Sequence, residues 1–335
     1  MLLTAKAPCR VDLAGGTLDI WPLYVFHKNS VTVNFAVDLY TSCRLEERSD
    51  ERIILRSEDQ NVKEEFASLA ELSAAPKFKH TLAAWVVKYF APRQGVNVTT
   101  NSEAPAGAGI SGSSSLLIST VSAFNKWLGT GHSIEKVREI AQNIEAQIIN
   151  VPTGCQDYYP AMYGGVSAID LTVAGIVRSA IPVDLEELNR RFVLAYTGKP
   201  RNSGINNWEV TKLHIDGNRK VQRNFDMIAA VSHGMRNALA SADWGEAAKL
   251  LREEWNNRRK NAPGITTPLI DRLVSVTRKR GALAAKVCGA GGGGCVVFLV
   301  EPEAKQRVAE VIAAEGAQVL PVKVAPKGVS LKIAR

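Results

Sequence analysis

The chain has 335 residues, 46% of them hydrophobic and 22% charged, so it is long enough for two domains with a buried core, and a disordered protein is excluded. The mean hydropathy of −0.05, with no apolar run of about 18 residues, excludes a membrane-spanning helix. The net charge of +8 indicates an anionic partner, which is nucleic acid, a membrane surface or a phosphorylated small molecule.

The N-terminal segment and the cysteines predict a cytoplasmic protein. Asp12 interrupts the first apolar stretch before it reaches the length of a signal-peptide core. The five cysteines are odd in number and no two are spaced Cys-x-x-Cys, which argues against a disulfide framework and against a zinc site. The five histidines lack metal-binding spacing, so we interpret them as structural.

The first half of the chain mixes strand-like and helix-like segments. Valine, threonine and aromatic residues predict the strands, and apolar residues at helical spacing predict the helices, the second of them capped by Ser133. The predicted elements are a strand at 30–45, its neighbour at 52–56, a strand at 95–99, a Gly/Ser/Pro loop at 103–115, helices at 116–128 and 133–150, and strands at 166–171 and 176–183.

The second half begins with a strand at 192–197 and a polar loop at 197–208. We place a domain boundary between residues 187 and 188, which gives domains 1–187 and 188–335. Interleaved helices and strands of antiparallel character predict the α+β class. The remaining predicted elements are helices at 221–240, 244–260 and 268–280, a strand at 283–287, a glycine run, a strand at 295–300, a helix at 302–315, and strands at 318–324 and 329–333.

A loop rich in glycine and serine leads directly into the helix predicted after it. Glycines let backbone N–H groups approach a ligand, and a helix N-terminus adds unpaired donors and the positive end of its dipole. The loop therefore predicts a phosphate site, at which the serines could also bind Mg²⁺. The residues of this predicted phosphate site are Pro105, Gly107, Ala108, Gly109, Ile110, Ser111, Gly112, Ser113 and Ser114.

The same loop contains Gly-x-Gly-x-x-Gly at Gly107, Gly109 and Gly112, the pattern of an NAD-dependent dehydrogenase. That fold needs a strand directly before the loop and an acidic residue at the end of a second strand. Here residues 103–105 separate the loop from its strand, and Glu135, at the expected distance, lies in a predicted helix. A dehydrogenase is therefore disfavoured, while a plain surface turn stays open for the loop taken alone.

Three segments resemble, in order, the motifs of the GHMP kinase superfamily, the galacto-, homoserine, mevalonate and phosphomevalonate kinases. Residues 7–19 (APCRVDLAGGTLD) are similar to the N-terminal motif in its sugar-kinase form, residues 105–115 to the phosphate loop, and residues 286–295 (KVCGAGGGGC) to the C-terminal glycine motif. Order and spacing agree over essentially the whole chain. The departures are Cys9 for the usual Gly, Ser111 where many members have Gly, and Gly112 for the usual Ser.

The resemblance implies the GHMP kinase fold. Its N-terminal domain would be like ribosomal protein S5 domain 2, its C-terminal domain would be ferredoxin-like, and the active site would lie between them. The strand–helix–strand–strand order at the end of the chain agrees with an α+β C-terminal half.

Glu145 stands out on the helix predicted at 133–150. At 100° per residue, it falls beside the apolar stripe that includes Val137, Ala141 and Ile144, so we expect it to face inward. A buried carboxylate needs a cation or strong donors, either an arginine or a metal ion. The resemblance implies that Glu145 and Ser113 jointly bind Mg²⁺.

The resemblance implies that Asp157, in the segment TGCQDYY, is the catalytic aspartate and that Arg10 lies beside it. On its own, an aspartate in such a segment is most often a turn residue, and Arg10 could make an ordinary ion pair. Asp12 is also a candidate for catalysis on chemistry alone. Transfer of the ATP γ-phosphoryl group needs positioning and charge neutralisation, which these residue types supply.

The predicted acceptor is a sugar or a sugar phosphate. Asp19 resembles a motif-one aspartate that bonds sugar hydroxyls, and residues 195–203 look like the T-G-x-x-R-x-S segment of heptose-phosphate and fucose-type kinases. Arg201 in that segment is either a substrate contact or a solvated loop charge. The predicted acceptor-binding residues are Asp12, Gly16, Thr17, Asp19, Gly154, Gln156, Arg201, Gly291 and Gly292.

Two alternatives within the fold stay open: another GHMP enzyme, such as a galactokinase or mevalonate-type kinase, and a non-catalytic nucleotide or sugar sensor. A sensor would have lost catalytic residues, yet Ser113, Glu145 and Asp157 are present. The expected partners are ATP and its acceptor, without nucleic acid or membrane, and a homodimer is left open. The basic runs at 258–260 and 278–280 end predicted helices, where cations favour the dipole, so we interpret them as solvated helix ends.

Overall fold

A computed structural model describes residues 1–200 and 203–334, and the side chains within those ranges except 203–206. The strands are β1 (Leu2–Ala14), β2 (Val31–Glu47), β3 (Ile53–Ser57), β4 (Val62–Phe66), β5 (Val96–Ser102), β6 (Val166–Thr172), β7 (Gly175–Ala180), β8 (Phe192–Tyr196), β9 (Ala282–Val287), β10 (Cys295–Val300), β11 (Gln318–Leu320) and β12 (Ser330–Ala334).

Helices pack on the first sheet, and in the sequence helices lie between β8 and β9 and between β10 and β11 of the second. The α-helices are α1 (Leu69–Ala74), α2 (Thr81–Phe90), α3 (Gly112–Leu128), α4 (Ile134–Ile149), α5 (Tyr159–Tyr163), α6 (Leu185–Arg191), α7 (Ser203–Ile215), α8 (Arg219–Ala240), α9 (Trp244–Arg258), α10 (Pro268–Arg278) and α11 (Lys305–Ala314). Three 3₁₀ helices lie at Leu23–Phe26, Gln156–Tyr158 and Pro302–Ala304. Within the described ranges, none of these helices combines the length and apolar composition needed to cross a bilayer.

The strands form two sheets. The first has the order β12-β1-β2-β5-β3-β4, with β6 pairing β2 and β7 pairing β6, and the second has the order β11-β8-β10-β9. All strands of the second sheet are antiparallel and follow a β-α-β-β-α-β order, which is the ferredoxin-like arrangement that the sequence predicts. The predicted α+β class is confirmed.

Three details of the sequence-based assignment are wrong. The strand at 52–56 does not neighbour β2, because β5 pairs with both β2 and β3 and lies between them. The predicted loop at 197–208 is helical from Ser203 onward. The strand predicted at 318–324 ends at Leu320. The strand predicted at 329–333 is β12, which pairs with β1 in the first sheet.

The predicted domain boundary, between residues 187 and 188, falls inside α6. Because β12 also returns to the first sheet, the second half of the chain contributes to both sheets. The division into domains 1–187 and 188–335 stays a prediction.

The helix pair α3–α4 builds the core beside the first sheet. Ser133 caps α4 by accepting a hydrogen bond from the Lys136 N–H, and Asn150 ends it in the left-handed region. The inward orientation predicted for this helix is confirmed, since Val137, Ala141 and Ile144 are buried, and Glu145 with them. α3 begins four residues before its predicted start, so the serines at 113–115 lie in its first turn.

A second apolar cluster joins the two sheets. It includes Val11 and Phe35 from the first sheet, Leu194 and Val297 from the second, and Leu251 from α9. β1 also carries bulges between Pro8 and Cys9 and between Asp12 and Ala14, which re-aim the side chains around Arg10. The end of β1 contacts α9 and is hydrogen-bonded through Asp12 to the loop that follows β9.

Candidate active site

A cavity of about 730 Å³ lies where the end of β1, the N-terminus of α3, α9 and the loop after β9 meet. We call residues 105–114 together with Glu145 the loop side of this cavity. The Asp19 side comprises Thr17, Asp19, Gln156, Arg258 and Gly289. Arg10 and Asp157 also line the cavity; Arg10 donates hydrogen bonds to the Gly109 carbonyl of the loop side and to Asp157.

The loop side contains every residue that the sequence predicts to bind nucleotide. Gly107 and Gly109 have positive φ, and Ser111, the N-cap of α3, is also left-handed at φ 61°. The loop is tied down because the Arg10 N–H donates to the Ile110 carbonyl and the Cys295 N–H donates to that of Ala108. The result is a fixed concave loop at the N-terminus of a 17-residue helix, which is an anion-binding geometry.

Glu145 is the buried carboxylate of the loop side and is only 7% exposed. Ser113 Oγ donates to one carboxylate oxygen at 2.5 Å, and Ser114 Oγ and Tyr158 Oη donate to the other at 2.9 and 2.5 Å. Burial raises the pKa of Glu145, and the hydroxyl donors only partly oppose that effect. The arginine partner that the sequence left open is not among these contacts, and carboxylate and hydroxyl oxygens are ligands that suit Mg²⁺.

Arg10 is almost completely buried and connects three groups. Its Nε and Nη2 donate to the same Asp157 oxygen, Oδ1, at 3.0 and 2.6 Å. Its Nη1 donates to the Gly109 carbonyl at 2.7 Å and to Asp12 Oδ1 at 3.2 Å. Burial lowers the pKa of Arg10, but the carboxylates of Asp157 and Asp12 outweigh it and raise the pKa, so the guanidinium is firmly charged.

Asp12 occupies a different place from the one expected of an acceptor ligand. It is fully buried, and its carboxylate accepts hydrogen bonds from Lys286 Nζ at 2.5 Å and from the Gly289 N–H at 2.8 Å, besides the bond from Arg10. Burial raises the pKa of Asp12, but the charges of Lys286 and Arg10 outweigh it and hold the pKa well below its usual range. The carboxylate anchors Arg10 and the loop after β9, and it does not line the cavity.

Asp19 and Gln156 form the polar centre of the Asp19 side. The Gln156 N–H donates to Asp19 Oδ2 at 2.9 Å, and Gln156 Oε1 is buried without a hydrogen-bond partner among the described residues. A Cβ at Gly154 would lie 1.9 Å from Asp19 Oδ2, so only glycine allows this approach. Burial and the nearby charge of Asp157 raise the pKa of Asp19 to about 6.

Arg258 lines the cavity, although from the sequence we interpreted it as part of a solvated helix end. Its side chain is 6% exposed, whereas that of its neighbour Arg259 is 38% exposed. The periodicity of α9 carried the missed signal: Leu250, Leu251, Glu254 and Arg258 share the buried face, and Glu254 and Arg258 are a buried i,i+4 pair. Asn207 of α7, within the predicted loop, also lines the cavity.

The glycine motif after β9 meets the cavity earlier than predicted. Gly289 and Ala290 line it, whereas Gly291 packs against Ile265 and the Gly292 N–H donates to the Ile265 carbonyl. Gly291 and Gly292 follow these two lining residues in the chain, and their contact with the acceptor stays a prediction. Gly16 lies beside the Arg258 and Gln156 side chains, and Arg201 is outside the described residues.

Comparison with known proteins gives two matching family models. Residues 77–165 match the model of the GHMP kinases N-terminal domain, and residues 235–318 match that of the GHMP kinases C-terminal domain, so that together they cover about half of the chain. The chain is 27% identical over 323 residues to D-glycero-alpha-D-manno-heptose 7-phosphate kinase of Campylobacter jejuni, covering 93% of this chain and 94% of the relative.

Two further relatives extend the comparison. Mevalonate kinase of Saccharolobus solfataricus is 22% identical over 311 residues, 91% of this chain and 92% of that protein. The crystal structure of a D-glycero-D-manno-heptose 1-phosphate kinase from Bacteroides thetaiotaomicron superposes with a TM-score of 0.79 at 24% identity and covers 99% of each chain. This likeness shows that the fold is shared.

Proposed function

The chain belongs to the GHMP kinase family, whose fold it has, and from that premise we propose that it transfers the γ-phosphoryl group of ATP to a hydroxyl of a sugar phosphate of the heptose 7-phosphate type. As a member of that family it is a phosphotransferase with a hydroxyl acceptor. The identity of the acceptor and the role of each residue are the proposal. Mg²⁺ dependence, a cytoplasmic location and a homodimer stay predictions.

The main observation that supports the proposed chemistry is that two N–H groups of Arg10 donate to a single oxygen of Asp157. These two hydrogen bonds orient the carboxylate. They do not involve Asp157 Oδ2, which an acceptor hydroxyl can reach. The side chain of Asp157 is 27% exposed, so it faces the cavity while its partner is buried. A carboxylate held in this way can orient the hydroxyl and accept its proton as the new P–O bond forms.

The loop side suits the triphosphate. Backbone N–H groups between Gly107 and Ser113 and the N-terminus of α3 supply donors and positive potential without a large side chain in the way. Ser113 and Glu145 would hold Mg²⁺, which when bound neutralises charge on the phosphate oxygens. Arg10 lies between this side and Asp157 through its bond to Gly109, so its charge can balance the transferred group.

The Asp19 side suits a polyhydroxy acceptor. The buried Asp19 carboxylate and Gln156 amide, with the half-buried Thr17 hydroxyl beside them, offer acceptors and donors in one region of the cavity, as sugar hydroxyls require. The heptose 7-phosphate kinase relative supports this acceptor class. A mevalonate-type acceptor has fewer hydroxyls with which to satisfy these groups.

A coupled ADP-release assay over a panel of acceptors tests the proposal. The panel contains D-glycero-D-manno-heptose 7-phosphate, L-fucose, galactose and mevalonate, each with ATP and Mg²⁺. We expect the highest kcat/KM with the heptose phosphate. A preference for mevalonate would contradict the sugar assignment, and ATP binding without turnover on any acceptor would indicate a sensor.

A further inference from the structure

Thr17 adopts a backbone conformation that its side chain disfavours. Its φ is 76°, in the left-handed region, where a β-branched residue is a genuine outlier. Such strain persists only where surrounding contacts hold it, and it concentrates at functional sites. Because Thr17 lines the cavity, the group that holds it also shapes the Asp19 side.

Arg258 makes the contacts that hold this loop. Its Nη1 donates to the Gly16 carbonyl at 2.8 Å, and its Nη2 donates to Thr17 Oγ1 at 3.2 Å and to the Gly289 carbonyl at 2.8 Å. A guanidinium can do this because its N–H groups are fixed in one plane. Arg258 thus joins the loop after β1 to the loop after β9, two segments that are far apart in the sequence.

These bonds also set the direction of the Thr17 hydroxyl. A hydroxyl has one hydrogen to donate, and here its oxygen already accepts the N–H of Arg258. The hydroxyl hydrogen can therefore be donated to an oxygen of a molecule in the cavity. Three of the five N–H groups of Arg258 donate to protein oxygens, so most of its donors are not available to a substrate phosphate.

The buried Glu254 side chain lies beside the guanidinium, on the same helix. Glu254 Oε1 lies 3.6 Å from Arg258 Nη1 and 3.9 Å from Lys286 Nζ, and Glu254 and Lys286 are both fully buried. Trp255 and Leu251 pack the same helix into the cores on either side. This seat leaves little freedom for Arg258 to swing away from the loop.

We propose that Arg258 is a positioning residue of the Asp19 side: it holds residues 15–19 in the conformation that aims the Thr17 hydroxyl at the acceptor. The inference rests on the proposed function, since it concerns binding of the phosphoryl acceptor. It adds a residue from the C-terminal half, on which the specificity for that acceptor depends.

The kinetic test compares Arg258→Met with Arg259→Met, a matched change at the exposed neighbouring position. With D-glycero-D-manno-heptose 7-phosphate as acceptor, Arg258→Met is expected to raise the acceptor KM by about tenfold or more and to leave the ATP KM within about twofold, because the loop side is untouched. Arg259→Met is expected to match the wild type. An equal rise of both KM values in Arg258→Met would overturn the proposal and indicate a general structural role.

A double-mutant cycle asks whether Arg258 acts through Thr17. Thr17→Ala should raise the acceptor KM, and adding Arg258→Met should then raise it much less than it does in the wild-type background. Full additivity of the two changes would contradict the positioning role. Arg258→Lys keeps the charge beside Glu254 but cannot make all three bonds, so it should fold and still show the raised acceptor KM.

Hydrogen exchange tests the same idea without any acceptor. The Leu18 N–H donates to the Gly15 carbonyl and the Ile20 N–H to the Thr17 carbonyl, so these two amides report on the loop. Arg258→Lys and Arg258→Met should speed their exchange by about tenfold and leave peptides from residues 105–115 unchanged. Unchanged exchange at Leu18 and Ile20 would overturn the proposal even if no acceptor were turned over, whereas a missing turnover alone would count against the proposed function only.

Discussion

The two sides of the cavity are built in opposite ways. The loop side comes mostly from one continuous stretch, residues 105–114, and works mainly through backbone geometry and a helix N-terminus. The Asp19 side is assembled from segments after β1, before α5, at the end of α9 and after β9, and one of its hydrogen bonds joins residues 242 positions apart. Under the proposed function, phosphate binding would therefore depend on residues that are adjacent in sequence, whereas acceptor binding would depend on long-range packing. Substitutions on one side should therefore leave the other side's ligand nearly unaffected.

Glu145→Gln should give the largest effect, and it should be confined to the loop side. Loss of the carboxylate charge should lower kcat by about 100–1,000-fold and weaken the response to Mg²⁺, with the acceptor KM within about threefold of the wild type. Because burial raises the pKa of Glu145, its ionised form opposes folding, so the variant without nucleotide should unfold at a higher temperature. An unchanged kcat over a Mg²⁺ titration would contradict the proposal that Glu145 binds Mg²⁺.

Gly154→Ala should weaken binding of the acceptor on the Asp19 side and leave binding of ATP nearly unchanged. The added Cβ would overlap Asp19 Oδ2, so the carboxylate must move, and we expect a rise in the acceptor KM of about tenfold or more with the ATP KM within about twofold. Gly245→Ala in α9 is the control, because its Cβ meets only an ordinary contact and helix propensity favours alanine. If Gly154→Ala binds the acceptor normally, Asp19 is not held as described.

The Asp19 side should also be sensitive to pH. Because the pKa of Asp19 is about 6, the carboxylate protonates in mildly acidic solution, and kcat/KM for the acceptor should fall below pH 6 as hydrogen-bond acceptors are lost. This limb of the profile should be missing in Asp19→Asn, which should have a uniformly low kcat/KM. A profile with the same limb in Asp19→Asn would show that another group titrates there.

The same shift predicts a stability effect with a definite sign. In the folded protein the pKa of Asp19 is raised from 3.8 to about 6, so its contribution to stability is present below pH 3.8 and is lost as the pH rises through 6. Asp19→Asn should therefore raise the free energy of unfolding at pH 7.5 by about 2–3 kcal/mol, and by less at pH 4.5. Denaturant titrations at the two pH values measure the difference, and an equal effect at both would contradict the shifted pKa.

Ser111→Gly should give the smallest effect, on the loop side. Ser111 is left-handed and its buried Oγ has no hydrogen-bond partner among the described residues, so glycine should raise the free energy of unfolding by about 0.5–1 kcal/mol. Ser111→Ala removes the hydroxyl but keeps the unfavourable φ, which separates the two causes. The acceptor KM should be the same in both variants, and a change in it would show that the two sides are coupled.

The contrast between the two sides also explains what could be predicted from the sequence. The loop at 105–115 could be predicted from the sequence because its glycines, its serines and the helix that follows are contiguous. The inward orientation of Glu145 could be predicted from helical spacing alone. Nothing local to Asp12 indicates that Lys286 and Gly289 will occupy its carboxylate. Charge at the end of a helix favours the dipole wherever it occurs, so the run at 258–260 gave no sign that its first arginine turns inward while the second stays exposed.

Binding and turnover of Asp157→Asn, measured side by side, test the central claim most directly. We propose that Asp157, whose carboxylate is oriented by Arg10, orients the acceptor hydroxyl and accepts its proton. Calorimetry should therefore show ATP and D-glycero-D-manno-heptose 7-phosphate bound within a few-fold of their wild-type Kd, while single-turnover phosphoryl transfer falls by about 1,000-fold or more. Phosphoryl transfer at a rate near that of the wild type would contradict the assignment.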